Sequence, residues 1–389
     1  MAIIQSCSLS EQEAIHKLQQ MHQSSFDYEL NENTKKVESI SFNKDTSLKE
    51  IPEEILAFEH LKTLEIRRTG ITEIPEFISY FKHIQELRFS INPIQQVADI
   101  FEQFPELEYL SLSHTKITEL PPSIFKCKKL KNLLYINTPI NGFDERLYLL
   151  KDQLEILFLS KCEELPPKIS TFKNVSDFGV TLGKSFKYID DLPKLKMLTL
   201  DNSTASRFPK DFKTIKKLRN LSLVNCDKIT ELPASLGYAE LGEYDLVSFN
   251  FNGCKKLRGL PESFKNLKNI RTFYLDSCFN FSYIPLGLRI GSLTAIGANW
   301  LKMPKNLLNT PCTRLWIDGH RMGTIRGISG MKGLDFAVII NGNILKVPEE
   351  LCEMKDLHHI NLENNKIKNY PAFWKNCPEL DIALGGNPL

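Results

Sequence analysis

The segment Leu107–Lys129, LEYLSLSHTKITELPPSIFKCKK, is one copy of a unit that fills most of the chain. That repetition constrains the fold more than any other feature. Leu107, Leu110 and Leu112 take positions 1, 4 and 6, followed by Thr115 at 9, Ile117 at 11, Leu120 at 14, Pro121 at 15, Ile124 at 18 and Cys127 at 21. Alternation around Leu110 and Leu112 suits a strand with one buried face. Position 9 must then turn the chain off that strand. Beyond Pro121 the apolar spacing widens to about three residues, as in one short helical turn begun by proline's fixed φ. Further copies begin at Val37, Leu61, Ile84, Leu130, Leu154, Val175, Leu195, Leu218, Leu246, Ile270, Leu293, Cys312, Leu334, Leu357 and Leu380, mostly at intervals of about 23 residues. No unit can bury its apolar face alone, so the copies must stack.

The second half of the unit recurs as ITEIPEFI, ITELPPSI, ITELPASL, LRGLPESF, ILKVPEEL and IKNYPAFW. With the LxxLxL half, the chain resembles the leucine-rich-repeat family over nearly all its length. It is similar to the intracellular class with LPxxI, which includes plant Ras-group proteins, the repeats of disease-resistance proteins, and bacterial repeat proteins and effectors. The resemblance implies an α/β solenoid, a curved horseshoe with a parallel concave sheet and short helical or 3-10 convex segments. It also implies that the concave face binds protein, without catalysis.

Residues 37–389 carry about sixteen units, the last cut short after one strand at LGGNPL. That strand is expected to be covered by a partner, or the protein to continue. The unit from Val175 is short, the unit from Leu218 carries an insert around Gly237–Asp245, and the unit from Leu293 has a truncated loop. Residues 1–36 stand outside the repeat. Ser10 and Glu13 match a capping box, and Ala14, Leu18, Met21 and His22 follow at helical spacing. An N-terminal helical cap over the first repeat is expected, with a partner-binding arm as the competing reading.

Net charge is +2 from 49 basic and 47 acidic residues, which gives no global pull toward nucleic acid or an anionic membrane. No apolar run is long enough to span a bilayer. Nine cysteines cannot all pair. Cys162, Cys226, Cys254 and Cys278 fall at position 9, and Cys127 and Cys377 at position 21, so they read as buried, reduced packing thiols. The compartment expected is the cytoplasm, or a host cytosol for an effector.

Chemistry-bearing motifs are sparse. GVTLGKS, from Gly179 to Ser185, has three residues between its glycines where a phosphate loop needs four, and it lies inside a repeat. His358 and His359 point to opposite faces of a strand and cannot chelate together. His320, at position 9, reads as a turn residue, and Cys7 as an ordinary thiol. No catalytic residue, metal or cofactor is assigned.

The solvent face of the sheet, at positions 3, 5 and 7, remains. Its early end is basic, with Arg67, Arg68 and Arg88. Its later part joins Tyr274, Arg314 and Trp316 with Asp276 and Asp318, and places Trp300 at the rim. In this register Gly297 separates Tyr274 from Trp316 and leaves a slot flanked by the two carboxylates, suited to a Lys or Arg of a protein partner. Phe158 is expected to pack along the sheet, and Trp374, at position 18, to be structural. Two further readings are open: the recognition part of a larger bacterial effector ligase or signalling protein, and a purely structural repeat.

Overall fold

The computed structural model describes residues 9–208, 218–238, 247–267 and 269–389. Cys7, most of the insert at Gly237–Asp245 and the repeat start at Leu246 lie outside the described residues. The chain divides into two compact units, Met1–Val180 and Thr181–Leu389.

In the first unit the helix Glu11–His22 closes its N-terminus with the expected capping box: Ser10 Oγ accepts from the Glu13 N–H at 3.3 Å, and Ser10 N–H donates to Glu13 at 2.8 Å. The helix buries Ala14 and Leu18. A strand absent from the sequence reading, Phe26–Leu30, then runs antiparallel to Val37–Asn43. Parallel strands follow at Thr63–Arg67, Glu86–Arg88, Tyr109–Ser111, Asn132–Leu134 and Ile156–Cys162. The position-4 residues Ile40, Leu64, Leu87, Leu110, Leu133 and Leu157 stand in register and are buried. After the prolines the convex side forms 3-10 turns, as at Glu76–Tyr80 and Pro122–Lys126, where the third residue on donates to the proline carbonyl.

The second unit repeats the plan with parallel strands at Met197–Asp201, Asn220–Val224, Val247–Asn250, Asn269–Tyr274, Arg289–Ile296, Cys312–Asp318, Phe336–Ile340, His359–Asn361 and Asp381–Ala383. Two starts move. Leu293 pairs with Phe273 and Leu315, both position-4 residues, so its unit begins at Ile290 and the shortened unit is the one before it. Ile290-Leu293-Ala295 and Leu293-Ile296-Ala298 carry the same apolar 1-4-6 spacing. Only pairing with neighbouring strands separates them. Likewise Ile382 pairs with Ile360, so the last unit starts one residue before Leu380.

The turn off the strand sits at position 8, one residue earlier than expected. Arg68, His114 and Asn137 in the first unit, and Asn225, Asn341 and Asn364 in the second, all have left-handed backbones, with φ between 54° and 57°. Gly297 has φ 64°, which marks it as a position-8 residue and agrees with the corrected register.

Position 9 then turns inward and ties units together. Asn92 Nδ2 donates to the Ile66 carbonyl at 2.7 Å, and Asn365 Nδ2 to Ile339 at 2.8 Å. The cysteines make the equivalent bond: Cys226 Sγ to Leu200 at 3.2 Å, Cys254 to Leu223 at 2.9 Å, and Cys278 to Phe251 at 2.9 Å. Each acceptor is a position-6 carbonyl of the preceding unit, so the thiol substitutes for the amide N–H as donor.

Cys127, Cys162, Cys226, Cys254, Cys278 and Cys312 are free and buried, as expected. Burial pushes the thiols of Cys127, Cys278 and Cys312 up to about 12 and that of Cys162 to about 11. Cys377 departs from expectation: it is half-buried and bonded to Cys352 in a disulfide, with Cα atoms 5.3 Å apart. The two lie on the successive convex turns Glu349–Glu353 and Ala372–Asn376. Trp374, on the second of these turns, is only half-buried.

Candidate functional site

Strand register decides which side chains meet on the solvent face of the second unit. Along position 5, Tyr274 pairs with Thr294, Thr294 with Trp316, and Trp316 with Val338. Thr294, not Gly297, therefore separates the two rings, and the expected slot is absent. Along position 3, Ser292, Arg314, Phe336 and His359 follow one another. At position 7, Ile296 lies beside Asp318. Tyr274, Ile296, Trp316 and Phe336 are 39%, 43%, 43% and 36% exposed, so four large apolar side chains meet solvent on one face.

Trp300 is not at the rim. It is 3% exposed, stacks on Phe281 with ring centroids 6.5 Å apart, and donates its Nε1–H to the Cys278 carbonyl at 3.1 Å. In the corrected register it holds position 11, the core site that Ile117 fills in its own unit.

The carboxylates are engaged within the sheet. Asp276 accepts from Asn252 Nδ2 at 3.0 Å and from the Ile296 N–H at 2.7 Å, and Asp318 accepts from Asn341 Nδ2 at 2.7 Å. By contrast, the side chain of the exposed Arg314 makes no hydrogen bond, ion pair or ring contact among the described residues. It borders a cleft of about 390 Å³ with Ser292, Thr294, Trp316, Asp335 and Phe336. The Phe336 ring stacks on His359 at 4.8 Å, and His359 Nδ1 meets Asp381 at 2.7 Å, which holds that wall in place. Sequence reasoning passed over Phe336, whose signal was position 3 of a unit already identified, a column it did not tally. It also started the neighbouring unit at Leu293, which made Ile296 an inward position-4 residue; only the strand pairing moves it to position 7.

A second cleft of about 310 Å³ lies at the strand starts, where Arg271, Gly291 and Thr313 succeed one another at position 2, with Arg289 and Lys332 beside them. A Cβ at Gly291 would lie 2.6 Å from the Arg271 carbonyl oxygen, so the backbone itself keeps this column open.

In the first unit Arg67 and Arg68 are exposed, but Arg88 is committed. Its Nε and Nη2 donate to Glu86 at 3.0 and 2.7 Å, and its guanidinium lies 4.1 Å from the Tyr109 ring centre. Burial opposes its charge, yet the Glu86 bonds prevail and raise its pKa. The basic patch is thus partly neutralised from within. Gly179, in the phosphate-loop look-alike, sits in the strand Asp177–Leu182 beneath Phe158, whose Cδ1 would be 2.3 Å from a Cβ there. That glycine accommodates a ring, and Phe158 packs along the sheet.

His320 is 3% exposed; its Nδ1 accepts from the Met322 N–H at 3.1 Å, while Nε2 is buried with no partner. Burial lowers its pKa to about 4 despite the nearby Asp318. Among the described residues no group of three or more His, Cys, Asp or Glu is placed to hold a metal, and no helix is long and apolar enough to cross a membrane.

Residues 106–127 match the family model Leucine Rich Repeat. The disease resistance-like protein DSC1 of Arabidopsis thaliana is 22% identical over 197 residues, 48% of this chain and 16% of that protein. The protein SUPPRESSOR OF npr1-1, CONSTITUTIVE 1 of the same plant is 30% identical over 135 residues, 33% of this chain and 9% of that protein. The matched stretches are therefore a small part of both relatives. Among solved structures, the chain in the TLR13–ssRNA13 complex aligns with a TM-score of 0.53 at 18% identity, covering 87% of this chain and 57% of that one, a likeness of fold. With the repeat register and the stacked parallel strands, these findings identify the chain as a leucine-rich-repeat protein.

Proposed function

We propose that the chain is a protein-recognition module working through the solvent face of the sheet in its second unit. The observation that carries this reading is the exposure of Tyr274, Ile296, Trp316 and Phe336 on one face. Water-exposed rings held on a rigid sheet supply area that a partner can desolvate at little cost in side-chain entropy, and Tyr and Trp dominate the energetics of protein interfaces. Arg67 and Arg68 in the first unit are a secondary contact surface in this reading. The six buried thiols favour a reducing compartment, whereas the Cys352–Cys377 bridge favours an oxidising one.

The test immobilises the full chain and compares partner capture from lysate with that of Trp316→Ala and Tyr274→Ala, each checked for folding by circular dichroism. Truncating a central aromatic costs about 2 kcal/mol or more of binding. Undiminished capture by both folded variants would remove this face from the reading. A second reading makes the chain the recognition portion of a larger resistance-like or effector protein, supported by its local likeness to two plant proteins that extend well beyond the shared stretch. The length of the natural gene product tests it.

A further inference from the structure

The two clefts of the second unit adjoin along the strands Arg289–Ile296 and Cys312–Asp318, and their charges are not balanced. Arg271, Arg289, Arg314 and Lys332 are all exposed, and none of their side chains is hydrogen-bonded or ion-paired among the described residues. The carboxylate among the lining residues, Asp335, is already engaged by His358 Nδ1 at 2.9 Å. Asp276 and Asp318 lie at position 7, toward the other end of the strands, where Asp276 accepts from Asn252 and Ile296 and Asp318 from Asn341. The side chains lining the two clefts therefore carry four unpartnered cations against one carboxylate. That balance favours an acidic guest at the clefts over the Lys or Arg guest drawn from the two aspartates.

Resting on the protein-recognition reading, we propose that these clefts bind an extended acidic segment of a partner protein. Arg314 holds a side-chain carboxylate, which its planar fork can meet with two parallel N–H···O bonds. An apolar side chain next to that carboxylate lodges between Trp316 and Phe336. From Phe336 to Arg271 the path crosses three strand spacings, roughly 14 Å, which about four extended residues span. A second acidic residue at that distance meets Arg271 and Arg289 across the gap that Gly291 keeps open. A nucleic acid suits the site less well: four cations on a chain of net charge +2 are few for a phosphate backbone, whose binding draws on many such contacts.

The experiment pans a randomised 12-residue peptide library on the full chain and measures the enriched peptides by fluorescence anisotropy. Enrichment of net-negative peptides pairing Asp or Glu with an aromatic or aliphatic residue is expected. Arg314→Gln should weaken them at least tenfold, Arg271→Gln with Arg289→Gln severalfold, and added salt should weaken them further. Circular dichroism confirms that each variant folds. Enriched peptides that are basic or uncharged but still depend on Trp316 would overturn the acidic assignment and leave the protein-recognition reading standing. Absence of any peptide dependent on Arg314 would overturn the proposal, and the capture experiment would then judge recognition alone. Tighter binding of a single-stranded poly(U) 12-mer, lost in Arg314→Gln, would assign the clefts to nucleic acid and overturn it as well.

Discussion

The imidazole of His320 occupies the space above Gly342 where a side chain would begin: a Cβ on Gly342 would lie 2.1 Å from His320 Cε1. Both residues hold position 9, in successive units. A large residue in one turn is thus accommodated by the absence of a side chain in the next. Gly342→Ala should destabilise the fold by about 1–3 kcal/mol, as overpacking a filled site does. His320→Asn, which restores the amide used at Asn92 and Asn365, should recover most of that loss. Urea unfolding of the two single variants and the double variant measures the coupling.

The same imidazole makes stability depend on pH. Burial holds its folded pKa near 4 against an ordinary 6.5, so between these values the unfolded chain binds a proton that the folded chain refuses. The contribution of neutral His320 is complete above pH 6.5 and is lost as pH falls from 6.5 toward 4. Its upper limit is about 3 kcal/mol. Melts of the wild-type chain and of His320→Asn between pH 7 and pH 4 should converge as the acid limb is removed. Parallel curves would show that His320 does not carry the effect.

The two tryptophans named from sequence as one patch should separate cleanly. Trp300→Ala empties a core site and removes a hydrogen bond, and should cost about 3–5 kcal/mol of stability. Trp316→Ala removes an exposed ring and should stay within about 1 kcal/mol of wild type. Equal losses in urea would contradict their placement.

The cysteines divide in the same way. In a chain with Cys7 replaced by Ser, Cys127, Cys162, Cys226, Cys254, Cys278 and Cys312 should resist thiol reagents at pH 8, because burial closes access to all six and raises the pKa of Cys127, Cys162, Cys278 and Cys312. Mild reduction should release Cys352 and Cys377 as the first thiols to label. Rapid native labelling of the position-9 thiols would count against the buried ladder.

We propose that residues 1–36 cap the repeats. Beyond the edge pairing of Phe26–Leu30 with Val37–Asn43, His22 Nδ1 and Ser25 Oγ reach Asp45 at 2.8 and 3.1 Å, and Lys17 reaches Glu54 at 2.6 Å. Burial opposes the Asp45 charge, but the bonds from Ser47, His22 and Ser25 prevail and hold its pKa below the usual carboxylate range. Deleting residues 1–36 uncovers a strand edge and should lower the melting temperature and promote association, read by light scattering. An unchanged monomer would make the segment an arm.

Sequence alone determined the repeat, its strand-and-turn alternation, the apolar core positions, the capping box at Ser10 and the inward cysteines at position 9. These follow from local periodicity, which every copy states independently, so errors in one copy are outvoted by the rest. Tertiary structure decided what single copies leave ambiguous. Ile290-Leu293-Ala295 and Leu293-Ile296-Ala298 are equally good apolar triplets, and only hydrogen bonds to Phe273 and Leu315 select the first. That choice moves Gly297 to the turn, sends Trp300 into the core, and sets Thr294 between Tyr274 and Trp316. Which charges are engaged was equally illegible, because Asp276 and Asp318 find their partners in neighbouring repeats more than twenty residues away or through a backbone N–H brought close by stacking. The composition of the face is written along the chain, whereas its chemistry is written across the strands, where pairing decides what touches what.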